Sequence, residues 1–399
     1  MRAVAWSKDL AKRVKASEQP IYEQRPGSSP FPPISCNPLV TIIVPSYKQG
    51  DLIEETILSI LRQDYKSIEL IVADGLSNDN TLEVLRQYES DSRTRWISEP
   101  DSGPHAAINK GLKLARGELI GVQSSSDTYQ PGAIREAVQQ FNSDPLLALV
   151  GGFVQVIDKE GFATGEIWQL PMDKPVITID EVLRFKDYPG MQSSFIRADL
   201  ALAIGGFDEE LQSCHTIFYL RYMLEALRIG AHLRRVPKIW GNFRIHPNHR
   251  SKRPSVEGLP YGRERNLACR RMAQRYKGYL TREQIRLLHG TGYYSEVHYG
   301  VLDGHEILRT VPAFLGYLWL GGHPRKSKKL WFYLVWNMLS NNLIGLIRGL
   351  FERRFPSVFE ALRSLKHSIY RTRGERSLVA VVPEDSQPHV QVDTRWYLP

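Results

Sequence analysis

Two short runs constrain this chain more than anything else in it: LVTIIVPSY (39–47) and IELIVADG (68–75). Each is apolar and β-branched along most of its length, without a regular polar alternation. A strand of that kind is buried on both faces, which requires a sheet covered by helices on both sides. Between the two runs, Ile53, Ile57, Ile60 and Leu61 recur at helical spacing. Asp51, with Glu54 three residues on, has the form of a capping box ahead of that helix. The alternation continues with a helix over Thr81–Tyr88, a strand at TRWIS (94–98), a helix over Ala106–Ala115 and a strand at GELIGVQ (117–123). Strands alternating with helices in this way predict an α/β fold. Its central sheet is expected to be mostly parallel and Rossmann-like, with helices on both faces.

After Pro131 the pattern loosens. LALVGGFVQVIDKEGFA (147–163) reads as a strand pair turning at Glu160-Gly161, and SSFIRADLALAIGGFDEEL (193–211) as strand, short helix and glycine-rich turn. Ile217–Ile229 is expected to be helical, and WGNFRIHPNHRSKRP (240–254) to be a strand running into a basic loop. Four regions follow: an irregular N-terminal extension (1–38), an α/β catalytic domain (39–255), a C-terminal helical region (256–373) and a disordered tail (374–399). Within the helical region, two apolar aromatic stretches between Val311 and Leu350 flank a cationic cluster of Arg325, Lys326, Lys328 and Lys329. Asn337, Ser340, Asn341 and Asn342 interrupt the second stretch, so the expectation is an interfacial helix pair on an anionic membrane surface.

The formal net charge of +9 suits an anionic partner such as a nucleotide or an acidic membrane. Nucleic acid is not expected, because no recognition motif with stacking aromatics accompanies the charge. Three scattered cysteines make neither a disulfide framework nor a metal-ligand spacing, and the first twenty residues have no signal-peptide core. The expected location is cytoplasmic, peripheral on the inner face of the membrane.

In an open parallel sheet, ligands sit outside the carboxyl ends of the strands. The loops there read PSYKQGD (45–51), DGLSNDNT (74–81), EPDSGPHAAINKG (99–111) and QSSSDTY (123–129). They are polar and rich in Gly, Asp and Ser, as nucleotide handling requires. Asp74 is placed to bind a base or ribose hydroxyl, and Lys110 to approach a diphosphate. Neither a P-loop lysine motif nor a dinucleotide fingerprint competes with this reading.

The ordered set VPSY…QG…E.TI.SIL.Q.Y, ELIVADGLSNDNT, SEPDSGPHAAINKG, GE.IG…D…PGAI, GGFDEEL and FRIHP resembles the family 2 glycosyltransferases, which have the A-type nucleotide-sugar fold. The resemblance runs from about Leu39 to Arg250. It implies an inverting transfer of sugar from a nucleoside-diphosphate sugar to a hydroxyl of a carbohydrate or glycolipid acceptor. By position, Pro45 and Tyr47 would line the base pocket. Asp74, Ser77 and Asp79 would contact base and ribose, and Lys110 and Gly111 would lie near the nucleotide. His246, with Arg244, would close over the diphosphate. GGFDEEL and the helix after it would line the acceptor side. The position of the family's catalytic carboxylate falls on His215, whose ordinary pKa of about 6.5 suits a general base near neutrality. Asp208, Glu209 and Glu210 are the nearby alternatives.

The chain departs from the family where Ser124 and Ser126 replace acids of the metal-binding cluster, leaving Asp127 as the metal ligand and catalytic carboxylate of that loop. The implied cofactor is therefore a divalent cation, Mg²⁺ or Mn²⁺, weakly held or absent. Lys48 stands where Asn is common and adds a positive charge beside the base pocket, to pair with Asp74 or a phosphate. A second reading follows from the same departures: a catalytically impaired relative that binds nucleotide or glycan as a partner subunit.

Overall fold

The computed structural model describes residues 29–168, 175–184, 189–209, 215–246 and 261–303. The chain divides into two compact units, with the break at His249–Arg250. The first holds strands β1 (Val40–Ser46), β2 (Ile68–Asp74), β3 (Thr94–Ser98), β4 (Leu119–Val122), β5 (Thr128–Tyr129), β6 (Leu147–Ile157), β7 (Ala163–Trp168), β8 (Ser194–Arg197) and β9 (His232–Arg244). Its helices are α1 (Ile53–Leu61), α2 (Thr81–Arg86), α3 (Pro104–Leu114), α4 (Ala133–Ser143), α5 (Ile179–Leu183), α6 (Ala198–Ala203) and α7 (His215–Arg228). The described part of the second unit is a pair of helices, α8 (Tyr261–Arg275) and α9 (Arg282–Asp303), packed around Ala268, Cys269, Met272 and Leu288. The stretch 311–350, the first 28 residues and the tail 374–399 lie outside the described residues. Among the described residues no helix is long and apolar enough to cross a membrane.

The strands form one sheet in the order β3-β2-β1-β4-β8-β6-β9-β5, with β7 on the outside of β6. From β3 to β4 every pairing is parallel, as the two opening runs predict. Beyond β4 the sheet is mixed. Strand β8 runs antiparallel to both β4 and β6, β9 is parallel to β6, and β5 is antiparallel to β9. The mostly parallel expectation thus holds for the β3-β2-β1-β4 half, whereas the other half is mixed because β8 runs in reverse between β4 and β6. The two-residue strand β5 had no apolar run to announce it.

All seven residues of β2 are buried, and its period-two sides face different helices. On one face Val40, Ile42, Val44, Leu70 and Val72 pack with Ile53, Ile57 and Ile60 of α1 and Ile134, Val138 and Phe141 of α4. On the other face α3 lies against β1 and β2. The contact is close because position 111 is glycine: a Cβ there would stand 2.4 Å from Cγ2 of Ile43.

Helix α1 begins one residue later than the Asp51–Glu54 pair implies, with Leu52 at the N-cap and no side-chain cap. The reason is local. The Gln49 carbonyl already takes the amides of both Leu52 and Ile53, so a tight turn closes the helix start. Glu54 instead accepts the Tyr88 hydroxyl at 3.1 Å.

The Gly111 contact yields a quantitative expectation. Replacing a helical glycine by alanine gains about 1 kcal/mol of propensity, but overpacking a tight core costs about 1–3 kcal/mol. Ile43 is a β-branched strand residue that cannot swing away, so Gly111→Ala should lower stability by about 1–2 kcal/mol. Equilibrium urea unfolding of both proteins measures this, and an unchanged or higher stability would show that α3 can slide.

Candidate functional site

Because β1, β2, β3 and β4 run parallel, their carboxyl ends open onto one edge, and the loops after them meet there. The loops after β1 and β2 are tied by short polar side chains. The Lys48 amide donates to Ser77 Oγ at 2.8 Å, and the Gln49 amide to Thr81 Oγ1 at 3.1 Å. Gly50 lies so near the second loop that a Cβ would stand 1.8 Å from Asn80 Oδ1. Two non-glycine residues, Lys48 at φ 54° and Leu76 at φ 62°, take the left-handed conformation there. Such positions are uncommon and concentrate where surrounding contacts over-determine the backbone.

Asp74 is the anchor of this edge. It is 1% exposed, and its carboxylate accepts the Ser77 amide (2.8 Å), the Ser77 hydroxyl (2.5 Å) and the Ser98 hydroxyl (2.7 Å). The expected pairing of Lys48 with Asp74 does not occur. Lys48 Nζ lies 5.2 Å from the ring centroid of the exposed Tyr47. Asp79 accepts the Thr81 hydroxyl and amide and the Gly50 amide. Burial would raise its carboxyl, but those hydrogen bonds outweigh it and hold Asp79 below its ordinary value. Asp74, Ser77 and Asp79 are therefore brought together at one edge, with Pro45 and Tyr47 on the neighbouring strand end.

Lys110 and Gly111 sit on α3, away from the loop tips. Lys110 pairs with Glu99 at 3.0 Å and donates to the Pro100 carbonyl at 2.8 Å. Gly111 is the packing contact with Ile43 described above. Asn109 of the same helix accepts the Phe207 amide (2.8 Å) and donates to the Phe207 carbonyl (2.9 Å) and to Glu209 (2.8 Å). This fastens the GGFDE turn to the sheet. His215 opens α7, and its side-chain surroundings, with residues 210–214, lie outside the described residues.

The loop between β4 and β5 is held from three sides. Thr56 and Ser59 on α1, with Gln63 just past its end, form a buried polar stripe. The Thr56 hydroxyl donates to the Asp127 carbonyl (2.8 Å), Ser59 Oγ accepts the Tyr129 amide (3.2 Å), and Gln63 donates to the Gln130 carbonyl (3.0 Å). Arg244, at the end of β9, is 1% exposed. Its amide donates to Asp127 Oδ1 (2.9 Å), its Nε to the Ser126 carbonyl (2.9 Å) and Nη1 to the Lys159 carbonyl (2.8 Å), and Nη2 pairs with Glu55. The sequence reading put Arg244 at the diphosphate. The structure instead places this guanidinium inside the protein, as a tie between α1, the β4–β5 loop and the turn after β6. His246 lies just beyond it, 6% exposed.

Asp127 itself is fully buried. Burial pushes its carboxyl up to about 6, against the opposing pull of the Arg244 amide, the Ser124 and Gln192 side chains and the Arg244 charge. Among the described residues its Oδ2 makes no hydrogen bond of ordinary geometry, and neither end of the buried Gln123 amide does. These groups do not fit a divalent cation. Mg²⁺ and Mn²⁺ need several oxygens, with carboxylates facing the ligand phosphates. Here one carboxylate is available, sealed from solvent, with one oxygen engaged by an amide. The loop carbonyls of Ser124, Ser126 and Asp127 each already accept a hydrogen bond. Among the described residues no three His, Cys, Asp or Glu side chains gather as metal ligands.

Glu55, Ser98 and Gln192 were not singled out from the sequence, and Thr56, Ser59 and Gln63 entered it only as letters of the E.TI.SIL.Q.Y motif, without a role. The stripe did leave a signal: polar residues at i, i+3 and i+7 (Thr56, Ser59, Gln63) beside the isoleucine face of α1.

Residues 41–199 match the family model described as glycosyl transferase family 2. Among curated relatives, the chain is 33% identical over 136 residues to a chondroitin synthase of Escherichia coli, covering 33% of this chain and 20% of that protein. It is 32% identical over 134 residues to a hyaluronan synthase of Pasteurella multocida, covering 33% and 14%. The chain thus spans well under half the length of these relatives. Among solved structures it resembles S. aureus TarS 1–349, with TM-score 0.52 and 16% identity over 73% of this chain and 82% of that one, a likeness of fold.

The burial of Asp127 sets a pH-dependent expectation. A carboxyl that ionises near 6 in the folded state and near 3.8 otherwise penalises folding; the penalty is absent below pH 3.8 and complete above pH 6. Asp127→Asn keeps an oxygen for the Arg244 amide and removes the charge. It should stabilise the protein by about 1–3 kcal/mol at pH 8 and by progressively less toward pH 4. Thermal unfolding across that range tests this; a loss of stability at pH 8 would refute it.

Proposed function

We propose, from the premise that residues 41–199 are a glycosyl transferase family 2 domain, that the chain transfers a sugar from a nucleoside-diphosphate sugar to a hydroxyl of a carbohydrate or glycolipid acceptor. The observation that carries this reading is the shared edge of β1, β2, β3 and β4, where Asp74, Ser77 and Asp79 order the loops beneath an exposed Tyr47. An open aromatic face beside a buried, hydrogen-bonded carboxylate, Asp74, and a second, exposed one, Asp79, is a setting in which a base stacks and a ribose is oriented.

The transfer needs an acceptor hydroxyl aligned with the anomeric carbon and a group to take its proton. The GGFDE turn and the start of α7 supply that side in this reading. His215 is the proposed base, and Asp208 is the nearest alternative. Glu209 is the weaker candidate because Asn109 already donates to it. A single displacement inverts the anomeric centre. The products fit polysaccharide or glycolipid assembly at the cytoplasmic face of a membrane, with residues 311–350 as the proposed contact.

One observation favours a second reading. Serines stand at two metal-ligand positions and Asp127 is closed off, so a nucleotide- or glycan-binding partner subunit without turnover would look the same at this edge.

Release of nucleoside diphosphate separates the two. The full chain is incubated with a panel of sugar nucleotides and with oligosaccharide or lipid-linked acceptors. Release from one donor, dependent on acceptor and lost in His215→Ala, is the expected result. Nucleotide binding with no release from any donor would favour the partner-subunit reading instead.

A further inference from the structure

A donor diphosphate carries two or more negative charges into an edge that lacks a fitting cation site. Taking the nucleotide-sugar reading above as its basis, we propose that this chain binds its nucleoside diphosphate without a divalent cation, with Lys48 supplying the positive charge that a metal would otherwise bring.

The first observation is the chemistry of the β4–β5 loop. At Ser124 and Ser126 a neutral hydroxyl stands where a carboxylate would repel phosphate oxygens unless a cation intervened. The acid that remains, Asp127, is fully buried and turned onto the Arg244 amide, so its charge does not face a ligand. Ser46 and Gln123 lie nearby, at the ends of the neighbouring parallel strands β1 and β4. They bring further uncharged polar atoms, buried and without hydrogen-bond partners among the described residues: Ser46 Oγ and both ends of the Gln123 amide. The set is rich in neutral donors and poor in metal ligands.

The second observation is Lys48. It is exposed, in the loop directly after β1, on the same edge. Its left-handed backbone is pinned by the hydrogen bond from its amide to Ser77 Oγ, so the side chain leaves from a fixed point. Its ammonium has no ion-pair partner among the described residues and rests on the Tyr47 ring, the proposed base platform. The other cations near this edge are engaged. Lys110 pairs with Glu99, Arg244 with Glu55, and Arg221 donates to the Gly206 carbonyl. A lysine is a mobile point charge on a long stem, suited to following a diphosphate rather than clamping it in one geometry.

Isothermal titration of the full chain with UDP, GDP, ADP, CDP and dTDP, each in EDTA and in Mn²⁺, tests this. The expected result is binding of at least one nucleotide, with affinities in the two buffers agreeing within about threefold. Lys48→Ala, with an unchanged thermal transition, should weaken that binding by roughly tenfold to a hundredfold, the range of one charge-assisted hydrogen bond. Lys48→Arg should restore most of the loss. Tightening by Mn²⁺ of about tenfold or more, or wild-type binding by Lys48→Ala, would overturn the proposal while leaving the transferase reading intact. Binding of none of the five in either buffer would remove both together.

Discussion

A polar loop runs through the interior between β4 and β5, and the rest of this edge is built to satisfy it. Buried carbonyls, amides and a carboxylate without partners would each cost about 1–3 kcal/mol. The surroundings remove most of that penalty: α1 contributes a hydroxyl, an acceptor oxygen and an amide, and β9 contributes the amide and guanidinium of Arg244. Glu55 then neutralises the guanidinium from the same helix. Helix α1 therefore faces two ways. Its isoleucines enter the apolar core, and its Thr56–Ser59–Gln63 side holds the loop.

The loops after β1 and β2 follow a different logic. Their ties are short side chains reaching the neighbouring backbone: Ser77 and Thr81 accept from Lys48 and Gln49, and Asp79 from Gly50. Ser77 Oγ both accepts from one loop and donates to Asp74 of the other strand end. Hydrogen bonds linked through one hydroxyl polarise each other. The edge is thus organised before any ligand arrives, which limits the ordering entropy a bound nucleotide would have to overcome.

Much of this was legible in the sequence because it is local. The β-branched runs at 39–47 and 68–75 determine buried parallel strands, and the 3.6-residue spacing of the isoleucines determines the inner face of α1. The loops were legible by position, since parallel strands place their ends together. What was not legible depends on partners far apart in the chain. Arg244 and Asp127 are separated by 117 positions, and nothing around FRIHP distinguishes a buried tie from a phosphate contact. The partners of Lys110 were not legible either: Glu99 and the Pro100 carbonyl, in the loop after β3, take its charge. Strand β5, at two residues, carries no periodicity, and its pairing is dictated by β9.

The lateness of β9 has a consequence for how the molecule comes into being. A ribosome delivers the β4–β5 loop long before the thirteen-residue strand that secures it. In that interval β1, β2, β3 and β4 can pair with one another, since all four precede the loop, while Asp127 Oδ1 and the Ser126 carbonyl wait for their donors. The segment that matches the family, 41–199, ends inside that interval. The nascent edge acquires its shape when Arg244 emerges and docks, a closure of high sequence separation that comes late.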